Sequence, residues 1–429
     1  MKRDSRLMGV FVASLAAACL SVPMAGADEI NVDEAKVPAY ALPDPLVDAG
    51  GEAVRDAEAW HRRRRPELMA LFESEVYGRT PVGRPSGMTW RTESEKPDAR
   101  DGRAVRREIG INLFGREDGP VVRLLVYLPA AARGREVPVF LGLNFEGNHA
   151  TTTEPDIPLP QGWVPNNKGA GLTDNMPSEK TRGVQADRWL YDLALERGFG
   201  VATAYYGDLD PDFHDGWKNG VHAVTGAPAD GEWGSIGTWA WGLSRMLDVL
   251  EKEPGVDGKK VIVMGHSRLG KTALWAGAQD TRFAAVISNN SGCGGAALSR
   301  RVFGETVARI NTVFPHWFTS GYKKWNHRES ECPIDQHQLI ALIAPRPVLV
   351  TSATEDTWAD PRGEFLSLVG AHPVYRLLGT AGLSTTEMPP PDRLINGPLA
   401  YLYRTGAHDV TRADWQAYLD FAEAQLGAP

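Results

Sequence analysis

The chain holds only three cysteines in 429 residues, too few for a disulfide-rich scaffold or a tetrathiolate zinc site. It also lacks a surplus of positive charge. Lys and Arg number 46 against 54 Asp and Glu, and a formal net charge of −8 argues against non-specific nucleic-acid binding. Beyond the N-terminus no apolar run approaches the length of a membrane helix, so no membrane partner is expected for the mature chain. Internal repeats and low-complexity linkers are missing too. What is present suits a globular protein: 42% hydrophobic residues, 23% charged residues and 13 tryptophans to bury, which excludes disorder as the main state.

Lys2, Arg3 and Arg6 precede an apolar run over 7–20, and Ala25-Gly26-Ala27 offers a small-x-small cleavage signal before Asp28. These parts, in this order, predict a secretory signal peptide over 1–27 and a single α/β domain over 28–429. An N-terminal membrane anchor is the competing reading, but the run is short for a span. The mature protein is therefore expected to be exported, periplasmic or secreted. Export would leave Cys293 and Cys332 in an oxidising compartment, where they either pair or stay as two buried thiols; spacing alone does not decide.

Residues 28–58, with Pro38, Pro43 and Pro45, read as an extended arm. Leu68, Leu71, Phe72 and Val76 recur at helical spacing and predict a helix over 59–77. The four arginines at 62–65 read as a solvated face of that helix. Strands are predicted at 105–113, 121–128, 137–144, 200–206, 260–265, 283–288 and 347–352. Helices are predicted at 189–196, 239–250, 272–278 and 412–426. The stretch 147–185 is long and irregular, as functional loops often are. Strands alternating with helices from residue 121 onward predict a mostly parallel sheet covered on both faces.

The most informative segment is Val261-Ile262-Val263-Met264-Gly265-His266-Ser267-Arg268-Leu269-Gly270-Lys271. An apolar strand runs into Gly-x-Ser and directly into a helix, which is the setting of a nucleophile elbow. The backbone N–H of Arg268 starts the helix and can face an oxyanion. The usual motif has Gly two residues after the serine; here Leu269 stands there and Gly270 follows. Lys271, four residues after Ser267, shares its helix face. A serine nucleophile needs a base, and His408 in Gly406-Ala407-His408-Asp409 comes last in the chain, as the histidine of such hydrolases does. The acid should follow a strand between them. Asp356 fits, with Glu355 in reserve.

These residues resemble carbohydrate esterase family 15, the glucuronoyl esterases, and its bacterial branch in particular. The resemblance rests on Gly265–Lys271, then Ser291-Gly292-Cys293-Gly294-Gly295-Ala296-Ala297, Gly304-Glu305-Thr306, Trp317-Phe318, Asp335-Gln336-His337 and Trp358. It covers most of residues 60–425. It implies an α/β-hydrolase three-layer sandwich. It also implies a serine esterase that cleaves the ester between 4-O-methyl-glucuronic acid on glucuronoxylan and lignin alcohols, with no metal and no cofactor. Carried over by position, Ser267 matches the nucleophile, His408 the base and Arg268 the side chain on the oxyanion. Lys271 and Glu305 match positions that bind sugar hydroxyls, and Trp358 an aromatic against the uronate. Many relatives carry a catalytic Glu two residues before Gly292; here that residue is Asn290, which cannot be an anion. Some bacterial relatives carry the acid where Asp356 stands.

Other features read as structural. His316, His327 and His337 lack a ligand pattern, and Trp239 and Trp241 suit helix packing. The 144–149 loop follows a strand and is assigned no role. A monomer acting on lignin–carbohydrate esters is expected. The competing functions are a broad acetyl or acyl esterase, a peptidase of the same fold, and a non-catalytic carbohydrate-binding protein with a decayed site.

Overall fold

Ten strands build one sheet: β1 (Thr89–Asp98), β2 (Ala104–Asn112), β3 (Val121–Pro129), β4 (Val137–Asn144), β5 (Gly200–Tyr205), β6 (Val256–His266), β7 (Ala285–Asn289), β8 (Val348–Ala353), β9 (Leu394–Ile395) and β10 (Leu399–Arg404). Their spatial order is β1-β2-β3-β5-β4-β6-β7-β8-β10-β9. This computed structural model describes residues 30–429, so the signal peptide predicted over 1–27 lies outside the described residues. Strands β5, β4, β6, β7, β8 and β10 run parallel, while β1, β2 and β3 form an antiparallel flank and the two-residue β9 closes the other edge.

Burial explains the strand sequences. All residues of β4, β5, β7 and β8 are buried, as expected of parallel strands covered on both faces. Alternation then sorts side chains between two cores. In β6, Val261 and Val263 face one side, with Trp239, Leu247 and Trp275, while Ile262 and Met264 face the other, with Trp415, Tyr418 and Phe421. The helices Ser235–Leu250 and Arg268–Gln279 cover the first face, and Tyr191–Glu196 and Arg412–Leu426 the second. The result is the expected three-layer sandwich. Trp239 and Trp241 are buried in that packing, as read from sequence.

Several elements differ from expectation. The polar strand β1 was not predicted, because it lies at the sheet edge, most of its side chains are exposed and none is fully buried, so it shows no apolar period. The helices Gln336–Ala341 and Pro361–Leu377 and the strand β10 were also missed. The first helix runs without a break from Ala57 to Tyr77, with wider π turns at Trp60–Arg64 and Glu73–Tyr77. Its arginines are not all solvated. Arg64 is buried and donates to Pro45 O at 3.2 Å and to Glu67 at 2.7 Å, and Arg65 donates to Ala278 O at 2.7 Å. These two side chains tie the helix to the arm before it and to the end of the helix that starts at the elbow. Cys293 and Cys332 are both free and buried.

Candidate active site

The C-terminal ends of the parallel strands lie along one edge of the sheet, where open α/β sheets place ligands. There Ser267, Arg268, Lys271, Asn290, Glu305, Asp356, Trp358 and His408 line a cleft of about 330 Å³.

Ser267 sits between β6 and the helix Arg268–Gln279, at φ +58° and ψ −128°. A non-glycine residue in that region is strained, and such turns lift a serine hydroxyl clear of the sheet. The turn closes because residue 265 is Gly. A Cβ there would lie 1.9 Å from Leu269 O. Leu269, the departure from the usual motif, is buried in the core, so the close approach falls on Gly265 against the Leu269–Gly270 backbone. Ser267 N–H donates to Asn289 O at 2.8 Å, which ties the elbow to the end of β7.

Two neighbouring loops bring His408 to Asp356. Glu355 N–H donates to Gly406 O at 2.9 Å and Gly406 N–H to Thr354 Oγ1 at 3.0 Å. Arg404 Nη2 holds the far side through Ala407 O at 2.9 Å and Asp409 O at 3.0 Å. His408 Nδ1 then stands 2.6 Å from Asp356 Oδ2. It is the Asp356 carboxylate that meets the imidazole; Glu355 contributes backbone to the loop junction. Asn290 is also in the cleft. Its Nδ2 donates to Asn289 Oδ1 at 2.9 Å and to Asp409 O at 3.3 Å, while its Oδ1 is buried without a partner.

Lys271 is buried. Its Nζ donates to Ser291 O at 2.5 Å and lies 3.8 Å from Glu305 Oε2. Burial lowers the lysine and raises the Glu305 carboxyl, and each group's charge opposes the other's shift. Trp358 is 38% exposed at the rim, and its carbonyl accepts Glu305 N–H at 3.0 Å.

Two buried acids were not singled out in the sequence. Asp212, in the loop after β5, ion-pairs with Arg268. His316, expected to be merely structural, donates to the same carboxylate through Nε2 at 2.9 Å. Glu364 accepts Ser291 N–H at 2.8 Å, Gly292 N–H at 2.9 Å and Ser352 Oγ–H at 2.5 Å, fixing the loop whose carbonyl holds Lys271. Neither lies near its partner in sequence, so only an alignment of the fold could have found them. No cluster of metal-ligating side chains occurs among the described residues. No helix among them is long and apolar enough to cross a membrane.

A half-buried serine on a strand-to-helix elbow that opens into a cleft, a histidine and acid after later strands, and a parallel sheet between helical layers define an α/β-hydrolase. Residues 228–379 match the family model described as glucuronyl esterase, fungi. A carbohydrate esterase from an unknown prokaryotic organism is 52% identical over 401 residues, 92% of each chain. Two solved structures superpose closely. One is described as a promiscuous family 15 esterase from a marine bacterial metagenome, 50% identical with a TM-score of 0.87. The other is a glucuronoyl esterase from Solibacter usitatus, 46% identical with a TM-score of 0.86. Each covers 92% of this chain and 100% of its own. The chain belongs to carbohydrate esterase family 15, the glucuronoyl esterases, and is a carboxylic ester hydrolase.

Proposed function

We propose that this enzyme hydrolyses the ester between the carboxyl of 4-O-methyl-glucuronic acid on glucuronoxylan and a lignin alcohol, with Ser267 as nucleophile. The observation that carries the reading is the 2.6 Å contact between His408 and Asp356 in the cleft that Ser267 lines. With Nδ1–H donated to Asp356, Nε2 of His408 is free to act as base. Ser267 Oγ attacks the ester carbon as its proton passes to Nε2. The oxyanion that forms is held by the Arg268 backbone N–H at the helix start and by its guanidinium. Collapse breaks the bond to the alcohol oxygen, which takes the proton from His408. Water then repeats the sequence on the acyl-enzyme and releases the uronic acid.

Lys271, Glu305 and Trp358 are the groups we assign to the sugar. A cation and a carboxylate side by side can donate to and accept from ring hydroxyls, and an exposed indole offers a flat apolar face. In this reading residues 1–27 direct export and 28–429 are the catalytic domain. A second reading, a broader acyl esterase, is favoured by the neighbour described as promiscuous. Assays of methyl glucuronate, benzyl glucuronate and p-nitrophenyl acetate, side by side, test the choice. Preference for the uronate esters is expected; activity on the acetate alone contradicts the substrate assignment.

A further inference from the structure

Arg268 is held by a residue that the elbow does not contain. Asp212 lies under its guanidinium, with a side chain only 2% exposed. Four donors surround that carboxylate. Oδ1 accepts from Trp317 Nε1 at 2.7 Å and from His316 Nε2 at 2.9 Å. Oδ2 accepts from Arg268 Nη1 and from the Tyr206 hydroxyl at 3.2 Å. Burial alone would raise its pKa, but His316, Arg268 and Trp317 together bring it down to about 2, so it is ionised throughout the working range.

Three aromatic rings complete the clamp. The Arg268 guanidinium stands 4.8 Å from the Trp317 ring, 5.3 Å from Phe314 and 5.9 Å from Phe145. Trp317 is itself fixed by Asp212, and Lys271 Nζ stands 5.9 Å from the same ring. A free arginine samples many rotamers, and only some present a donor at the elbow. Here one nitrogen is committed to Asp212 and three rings crowd the guanidinium, which restricts its rotamers. The Arg268 side chain is still 27% exposed and lines the cleft, so part of the guanidinium faces the substrate while the side chain is held still. The pairing also offsets the guanidinium charge, which makes its N–H direction matter more than its net charge.

We propose that Asp212 is the positioning residue of Arg268: it holds the guanidinium so that the uncommitted N–H groups meet the tetrahedral oxyanion without reorganising. The proposal rests on the reading of Arg268 as an oxyanion donor. It extends the functional set to a loop residue 56 positions before Arg268, with Tyr206 and His316 supporting the carboxylate.

The test is a double-mutant cycle on steady-state kinetics, with Asp212→Asn, Arg268→Ala and the double variant. Asparagine keeps the shape but turns an NH2 group toward donors, so the clamp fails. Asp212→Asn should lower kcat by roughly 10- to 100-fold with KM within about threefold, the pattern of a lost transition-state contact. In the Arg268→Ala background the same change should cost less than about twofold, because coupled residues are not additive. An equal loss in both backgrounds, or an unchanged kcat in Asp212→Asn, overturns the proposal. Thermal unfolding checks that the variants are folded. Should Asp212→Asn not fold, Tyr206→Phe takes its place, with a loss of roughly two- to fivefold that vanishes without Arg268. The cycle is run on benzyl glucuronate and on p-nitrophenyl acetate. A wild-type enzyme active only on the acetate would fail the substrate reading and still leave the cycle measurable.

Discussion

Asp356 Oδ2 lies 2.6 Å from Nδ1 of His408, and the two residues sit on loops that share backbone hydrogen bonds. Asp356 therefore brings a carboxyl group pre-aligned with the imidazole, whereas Asn290 in the same cleft carries an amide bonded to Asn289 and Asp409. Asp356→Ala is expected to lower kcat by up to ~10⁴, since the imidazolium formed during attack loses its anion and its tautomer control. Asn290→Ala should cost much less. Equal, mild losses in kcat would move the acid role to another residue, Glu355 first.

Arg268 and Lys271 should separate in steady-state kinetics. Arg268→Ala removes a donor that matters most when the oxyanion forms, so kcat should fall by roughly 10² to 10³ with a smaller change in KM. Lys271, 3.8 Å from Glu305, is assigned to sugar hydroxyls that are present in ground and transition states alike. Lys271→Ala should therefore raise KM more than it lowers kcat. The reverse pattern would exchange their roles.

Glu364 gives a pH signature. Burial pushes its carboxyl up to about 7, against donors from Ser352, Gly292 and Ser291. Between its ordinary value of 4.5 and about 7 the folded protein keeps a proton that the unfolded chain has released. Stability from this group is full below that window and is lost as pH rises through it. Asp208, also raised to about 7 by burial, adds a slope of the same sign, so a difference measurement is needed. Glu364→Gln can keep the geometry, with its oxygen toward the Ser291 and Gly292 N–H groups and its amide toward Ser352 Oγ. Its melting temperature should fall less with pH across the window than that of the wild type. Identical slopes would contradict a proton retained by Glu364.

Cys293 and Cys332 are free, and burial holds both thiols protonated, Cys332 at about 12. A reductant should leave the melting temperature unchanged. A clear drop on reduction would reveal a disulfide.

The sequence made the elbow legible because its chemistry is local: an apolar strand, Gly265, Ser267 and a helix lie within one segment. His408 and Asp356 followed from chain order, which the hydrolase topology imposes. Strands β4, β5, β7 and β8 were legible as buried apolar runs. Polar β1 and the helix Pro361–Leu377 were not, since neither carries a strong apolar period. Asp212 and Glu364 were hidden for another reason. Their partners are Arg268, His316, Ser291 and Ser352, and only the folded sheet brings those together. His316 looked structural because a lone histidine in a loop carries no pattern.

The role we propose for Ser267 is attack on a uronate ester. It is tested most directly by Ser267→Ala, measuring turnover of benzyl glucuronate and, separately, binding of the unreacted ester. Loss of kcat by several orders of magnitude with binding still measurable is the predicted result, since removing a nucleophile leaves only residual catalysis by the rest of the site. Turnover near that of the wild type would contradict the account.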